Sequence, residues 1–242
     1  MNKKIFIATD ERCGGTTFTS LFEAFSLKTI DDPQTRLKRN EEIFKNYKTK
    51  KNKTNLMLNY CYNKLNVNVI KCCYVSYSLG EYKELLDYCI NNNITIIILH
   101  RENIGKRSLS LEMAKNKLGW DIFNENKKHN KINININKYL NNINEYNKKI
   151  TSCINYLNTK EKEYFFVIFE NFIKNKNTSN LLYTKLNLIL TNEELYNKLA
   201  NKDYKTNKKI NLIKNMDEIN KINQNINKPI LNLKKKYNKF IF

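Results

Sequence analysis

Lys4-Ile5-Phe6-Ile7-Ala8-Thr9-Asp10-Glu11-Arg12-Cys13-Gly14-Gly15-Thr16-Thr17-Phe18 is the stretch whose reading decides the fold. Ile5, Phe6 and Ile7 form a short apolar run of buried-strand character. A charged turn follows, and then Phe18, Leu21, Phe22 and Phe25 recur at helical spacing. Strand, glycine turn and helix start make the geometry of an anion cradle. The first N–H groups of a helix have no internal partner, and the helix dipole favours negative charge beside them. Gly14 and Gly15 allow close approach of backbone to a ligand and a positive φ. Thr16 and Thr17 add hydroxyl donors, and Arg12 adds a fork-shaped cation suited to phosphate or sulfate. The same turn reads equally as a plain strand-to-helix connection.

A Walker A loop places lysine directly after its last glycine. Here Thr16 follows Gly15, and the basic residue, Arg12, precedes the glycines. The turn therefore argues against ordinary ATP or GTP hydrolysis.

Working outward, strand and helix patterns alternate. Residues 67–75 read as a second strand, residues 81–90 as a helix through Tyr82, Leu85, Leu86 and Cys89, and residues 94–99 as the strongest strand and a central one. His100-Arg101-Glu102-Asn103 follows, with Asn103 as the N-cap of a helix to about Leu118. Such alternation predicts right-handed βαβ units: an α/β fold of three αβα layers around a central parallel sheet. Ligands bind beyond the carboxyl ends of the strands in such sheets, where the glycine turn and Arg101 both fall. Residues 124–149 read as a low-complexity insertion feeding a helix from about Tyr139 to Leu157. Tyr164–Phe169 reads as an aromatic-rich strand, with helices near 179–200. The expected organisation is one domain over 1–200 and a basic, partly helical extension over 201–242. Residues 28–55 are polar, with Asp31-Asp32-Pro33 as a turn.

The chain has 242 residues, 41% hydrophobic and 12% aromatic, enough for one α/β domain with a sizeable core. Its 43 basic and 23 acidic residues leave a net charge of +20, which predicts affinity for polyanions. Heavy use of Asn, Lys, Ile and Tyr follows the pattern of an AT-biased genome, and the lysines are spread evenly, so nucleic acid is not the expected partner. The six cysteines form no C-x-x-C pair, and no carboxylate or histidine cluster has metal-ligand spacing, so no metal is expected. Without a leader pattern or an apolar run near 18 residues, a cytoplasmic chain with reduced thiols is expected.

Two motifs in order carry a family resemblance. Arg12-Cys13-Gly14-Gly15-Thr16-Thr17-Phe18 and the run from Ile97 through His100-Arg101-Glu102-Asn103 to Ser108-Leu109-Ser110 resemble the phosphate-binding motifs of sulfotransferases that use 3′-phosphoadenosine 5′-phosphosulfate (PAPS). Leu118-Gly119-Trp120 and Glu42-Ile43-Phe44 are similar to elements of the carbohydrate-acting branch, although Glu41 stands where that branch has glycine. Ile168-Phe169-Glu170-Asn171-Phe172 resembles its strand-end motif less closely. The likeness spans roughly residues 4–175.

That resemblance implies a P-loop NTPase-like sulfotransferase fold, with PAPS as co-substrate and a sugar or glycan hydroxyl as acceptor. Arg12 and the backbone of residues 13–18 (Cys13, Gly14, Gly15, Thr16, Thr17, Phe18) would hold the 5′-phosphosulfate, and Arg101 with Ser110 the 3′-phosphate. Glu42 would take the acceptor's proton, with Glu41 and His100 as rivals; strand alternation turns His100 toward the core. Lys71 reads either as facing the acceptor or as a buried strand-end lysine. Arg107 reads as a surface charge, Trp120 as core, and Cys72 and Cys73 as buried small hydrophobes. Two other classes stay open: a small-molecule or nucleotide kinase on the same sheet, and a non-catalytic polyanion-binding protein.

Overall fold

The computed structural model describes residues 3–34, 53–115, 131–200 and 213–226. Along the chain, β1 (Ile5–Thr9) leads through the glycine turn to α1 (Gly15–Leu21), and a 3-10 turn leads on to β2 (Thr29–Asp31). Then come α2 (Lys53–Asn59), β3 (Val69–Cys73), α3 (Leu79–Asn91), β4 (Thr95–His100) and α4 (Ile104–Met113). α5 (Ile136–Thr159), β5 (Phe165–Ile168), α6 (Phe169–Lys174), α7 (Lys176–Lys185), α8 (Glu193–Ala200) and α9 (Met216–Ile226) complete the described elements.

The five strands lie in the order β2-β3-β1-β4-β5, all parallel. β1 is therefore the middle strand, and β4, paired with β1 on one side and β5 on the other, is an interior strand as expected. Period two divides each strand between two cores. Ile5, Ile7, Val69, Ile97 and Leu99 pack with Phe18, Leu21, Phe172 and Leu182 from α1, α6 and α7. Phe6, Ala8, Ile70, Cys72, Ile96 and Ile98 pack with Met57, Leu85, Tyr146 and Leu157 from α2, α3 and α5. Helices on both faces of one parallel sheet give an α/β fold consistent with three αβα layers.

Local signals set the helix ends. Ser78 and Glu81 form a reciprocal capping box that starts α3 two residues before the expected point. The Asn103 side chain accepts from the Lys106 N–H at 2.8 Å, and the Asn135 side chain accepts from the Lys138 N–H at 3.0 Å.

Two readings of the sequence need correction. Thr29–Asp31, within a stretch read as polar turn, is an edge strand paired to β3 only. Residues 136–149, read as an insertion that feeds a helix from about Tyr139, belong to a core helix that begins three residues earlier, at Ile136. Tyr139, Ile143, Tyr146, Ile150, Cys153 and Leu157 recur at three- and four-residue steps and are buried. The asparagines and lysines that make this stretch low in complexity occupy its other faces.

The last described segment docks onto this layer. Ile213 bridges to Ile132, and the Asn215 side chain pairs with both backbone groups of Ile134 at 3.0 Å. Tyr139 donates its hydroxyl proton to the Asn223 side chain, and Ile219 is fully buried. Gly105 makes room for this contact: a Cβ there would lie 2.0 Å from Asn223 Oδ1.

Candidate functional site

β1 sits where the sheet's connections change direction, with β3 on one side and β4 on the other. Ligand crevices open at such a point, beyond the strand tips. The turn leaving β1 holds Arg12 at φ 63° and Gly14 at φ 76°, both left-handed. The Cys13 N–H donates to the Asp10 carbonyl at 3.4 Å, and the Phe18 N–H to the Gly14 carbonyl at 2.9 Å. Among the described residues, no side chain caps α1.

The two glycines were expected to let a ligand approach; the space beside each is filled by the protein itself. A Cβ on Gly14 would lie 2.3 Å from the Phe169 ring, and one on Gly15 would lie 2.8 Å from Lys71 Cδ. Phe169 at the end of β5 and Lys71 in β3 thus clamp the turn from either side.

Arg107 underlies the turn. Read from sequence as a surface charge, it is 2% exposed, and α4 points it back beneath β1. Its Nη2 pairs with Asp10 Oδ2 at 2.7 Å, Nε donates to the Glu11 carbonyl at 3.0 Å, and Nη1 donates to the Asn142 carbonyl at 3.3 Å. The guanidinium also lies 4.7 Å from the centre of the Tyr146 ring. Burial works against its charge, but Asp10, Cys13, Tyr146 and Glu11 together reverse that and raise its pKa overall.

One turn further along α4, Ser110 faces the glycine turn and its Oγ accepts from Arg12 Nε at 2.9 Å. Arg101 Nη1 donates to the Arg12 carbonyl at 2.8 Å, and Arg101 Nε pairs with Glu170 Oε1 at 3.3 Å. The structure thus brings Arg12, Arg101 and Ser110 into one network, although Arg12 and Ser110 stand 98 positions apart in the chain. Burial, and then the nearby charge of Arg101, lower the pKa of Arg12. Two guanidiniums held this close make a site that favours an anion.

Lys71 approaches from the other side. It is 5% exposed, and its Nζ lies 2.9 Å from Asp32 Oδ2 and 3.6 Å from Asp31 Oδ2. Burial lowers its pKa, but Cys73, Asp32 and Asp31 reverse that and raise it overall. Asp32, itself at φ 44°, also accepts the Cys73 N–H at 2.8 Å. Asp31 Oδ1 is buried without a hydrogen-bond partner among the described residues. Lys71 is therefore a buried lysine, in the middle of β3 rather than at its end, that also reaches the start of α1.

The other residues singled out from sequence fall as follows. Phe18 is fully buried, its ring centre 4.8 Å from that of Phe172, so only its backbone reaches the turn. The Cys13 thiol is buried against the Tyr146 hydroxyl, and burial raises its pKa. Thr16 is exposed and Thr17 half-buried. His100 is 1% exposed, its Nδ1 2.6 Å from the Tyr146 hydroxyl, inside the core layer that holds α5. Glu41, Glu42 and Trp120 lie outside the described residues. Among the described residues, no group of His, Cys, Asp and Glu is arranged to hold a metal ion, and no helix is long and apolar enough to cross a membrane.

The sequence reading missed Asp10, Arg107, Phe169 and the contacts of Glu170. Helical spacing did place Arg107 and Ser110 on one face of α4; the turn above them was the missing piece. No protein-family model, curated protein or solved structure matches the chain.

Proposed function

We propose that the chain is a sulfotransferase that moves the sulfuryl group of PAPS to a hydroxyl of a carbohydrate or glycoconjugate. The observation that supports this reading most is the joining of Arg12, Ser110 and Arg101 at neighbouring strand tips. Arg101 Nη2 has no hydrogen bond to a described residue, so the group can still receive an anion. Bound there, PAPS supplies a sulfuryl group on a phosphate leaving group.

In this reading Arg12 and the N–H groups of residues 14–17 hold the 5′ end and stabilise charge on the departing phosphate. Lys71, paired with Asp31 and Asp32, walls the turn beside Gly15. Arg101 and Ser110 hold the 3′-phosphate. Glu42 takes the acceptor's proton as the acceptor oxygen bonds to sulfur and the bond from sulfur to the phosphate oxygen breaks. These residues act by position and electrostatics, as in phosphoryl transfer. The acceptor and a cytoplasmic setting belong to the same proposal.

Calorimetric titration with adenosine 3′,5′-bisphosphate tests it. The wild type is expected to bind and Arg101→Ala to lose affinity; equal binding by both overturns the assignment of the 3′-phosphate. One observation favours a second reading, a kinase: Lys71 brings an ammonium from β3 to the start of α1, close to Asp31 and Asp32. Magnesium-ATP displacing the bisphosphate would favour that reading.

A further inference from the structure

Arg101 has only part of its guanidinium left to offer. Its Nε edge faces Glu170 Oε1, its Nη1 donates to the Arg12 carbonyl, and its Nη2 has no hydrogen bond to a described residue. Glu170 is equally constrained, since its second oxygen accepts the Glu102 N–H at 2.9 Å. One carboxylate therefore ties the side chain and the following backbone of the β4 tip to the start of α6. That start is itself fixed, because Phe169 packs against Gly14 and is 4% exposed. With side chains 16% and 21% exposed, the Arg101–Glu170 pair is unlike a surface ion pair, whose partners trade freely with water.

An arginine has many rotamers and loses that freedom when it binds an anion. Holding two of its nitrogens beforehand removes most of that loss and fixes where the third points. We infer that Glu170 is a positioning residue: it aims Arg101 at the 3′-phosphate and so sets a preference for nucleotides phosphorylated at the 3′ position. The inference rests on the sulfotransferase reading and adds to it a residue that does not touch the ligand. A carboxylate beside a phosphate site would otherwise only weaken it; here both oxygens are turned into hydrogen bonds with protein donors.

The test uses the full chain and two probes, adenosine 3′,5′-bisphosphate and AMP, titrated calorimetrically. In the wild type the ratio of the two affinities reports what the 3′-phosphate adds. Glu170→Ala is expected to cut that ratio roughly tenfold, the scale of one charge-assisted hydrogen bond, with AMP affinity held within about twofold. Glu170→Gln keeps an acceptor for one of the two donors and is expected to restore part of the ratio; it also serves if the alanine variant fails to fold. An unchanged ratio in the folded variants overturns the inference and leaves the sulfotransferase reading standing. An equal fall for both probes also overturns it, because it marks a general structural role. A wild type that binds neither probe overturns the sulfotransferase reading and this inference together.

Discussion

Arg107 and Arg101 sit at the same strand-to-helix junction, one buried and one half-buried, and they differ in what is left over. Arg107 gives all three of its nitrogens to protein acceptors, stacks on Tyr146 and pairs with a buried Asp10. Arg101 gives two, and its third has no hydrogen bond to a described residue. A guanidinium with every nitrogen engaged internally holds a backbone in place; one with a nitrogen to spare at a strand tip is arranged to meet something else. The number of buried charges near a site says less about function than how completely each is paired.

The largest expected effect breaks the fully paired member. Arg107→Met leaves the Asp10 carboxylate buried without its partner and should cost about 3–5 kcal/mol of stability, read from urea unfolding. A loss under about 1 kcal/mol would mean that Arg107 does not brace the turn. Next is the turn itself. Gly14→Ala combines a strained φ with a clash against Phe169 and should cost at least about 1–3 kcal/mol in the same assay. Tolerance of alanine there would show that the clamp yields.

Arg101→Ala sharpens the contrast from the other side. Because its ion pair is partly open to solvent, stability should change by no more than about 1 kcal/mol, while affinity for adenosine 3′,5′-bisphosphate falls by more than about tenfold. A large stability loss without a binding loss would put Arg101 in the same class as Arg107.

The smallest effect concerns pH. Burial and the neighbouring Asp10 raise the pKa of Glu11, despite the opposing charges of Lys115 and Arg107. A carboxyl whose folded pKa exceeds its unfolded one contributes stability that is full below the unfolded pKa and is lost as pH rises through the folded value. Glu11→Gln should therefore be slightly more stable than wild type at neutral pH, and the advantage should vanish below the carboxylate range. Unfolding curves at pH 7 and pH 3.5 would read it; an advantage that grows on acidification overturns the assignment.

Much of this molecule was legible before any coordinate. β1, β4 and β5 could be read because apolar runs need burial on both faces, β3 because Lys71 alone interrupts such a run, and Asn103 announced α4 by its capping chemistry. β2 escaped because a three-residue edge strand carries too little pattern. α5 was anticipated from about Tyr139 to Leu157; only its first turn, from Ile136, was given to the insertion, because repeated Asn and Lys mask the pattern there. At the candidate site, Arg12, Arg101 and Ser110 could be named from motif order, and the structure brings them together. Arg107 could not be read correctly: a lone arginine on a helix looks the same in sequence whether it meets water or a buried aspartate.

The sequence by itself determined the alternation of strand and helix, the left-handed glycine turn after the first strand, and the cations available near it. Those features are written in local periodicity and in residues with unusual backbone freedom. Only the tertiary structure decided which cations are neutralised and which remain available. Pairing Asp10 with Arg107, Lys71 with Asp31 and Asp32, and Arg101 with Glu170 joins residues far apart in the chain, and their proximity is set by how five strand tips line up.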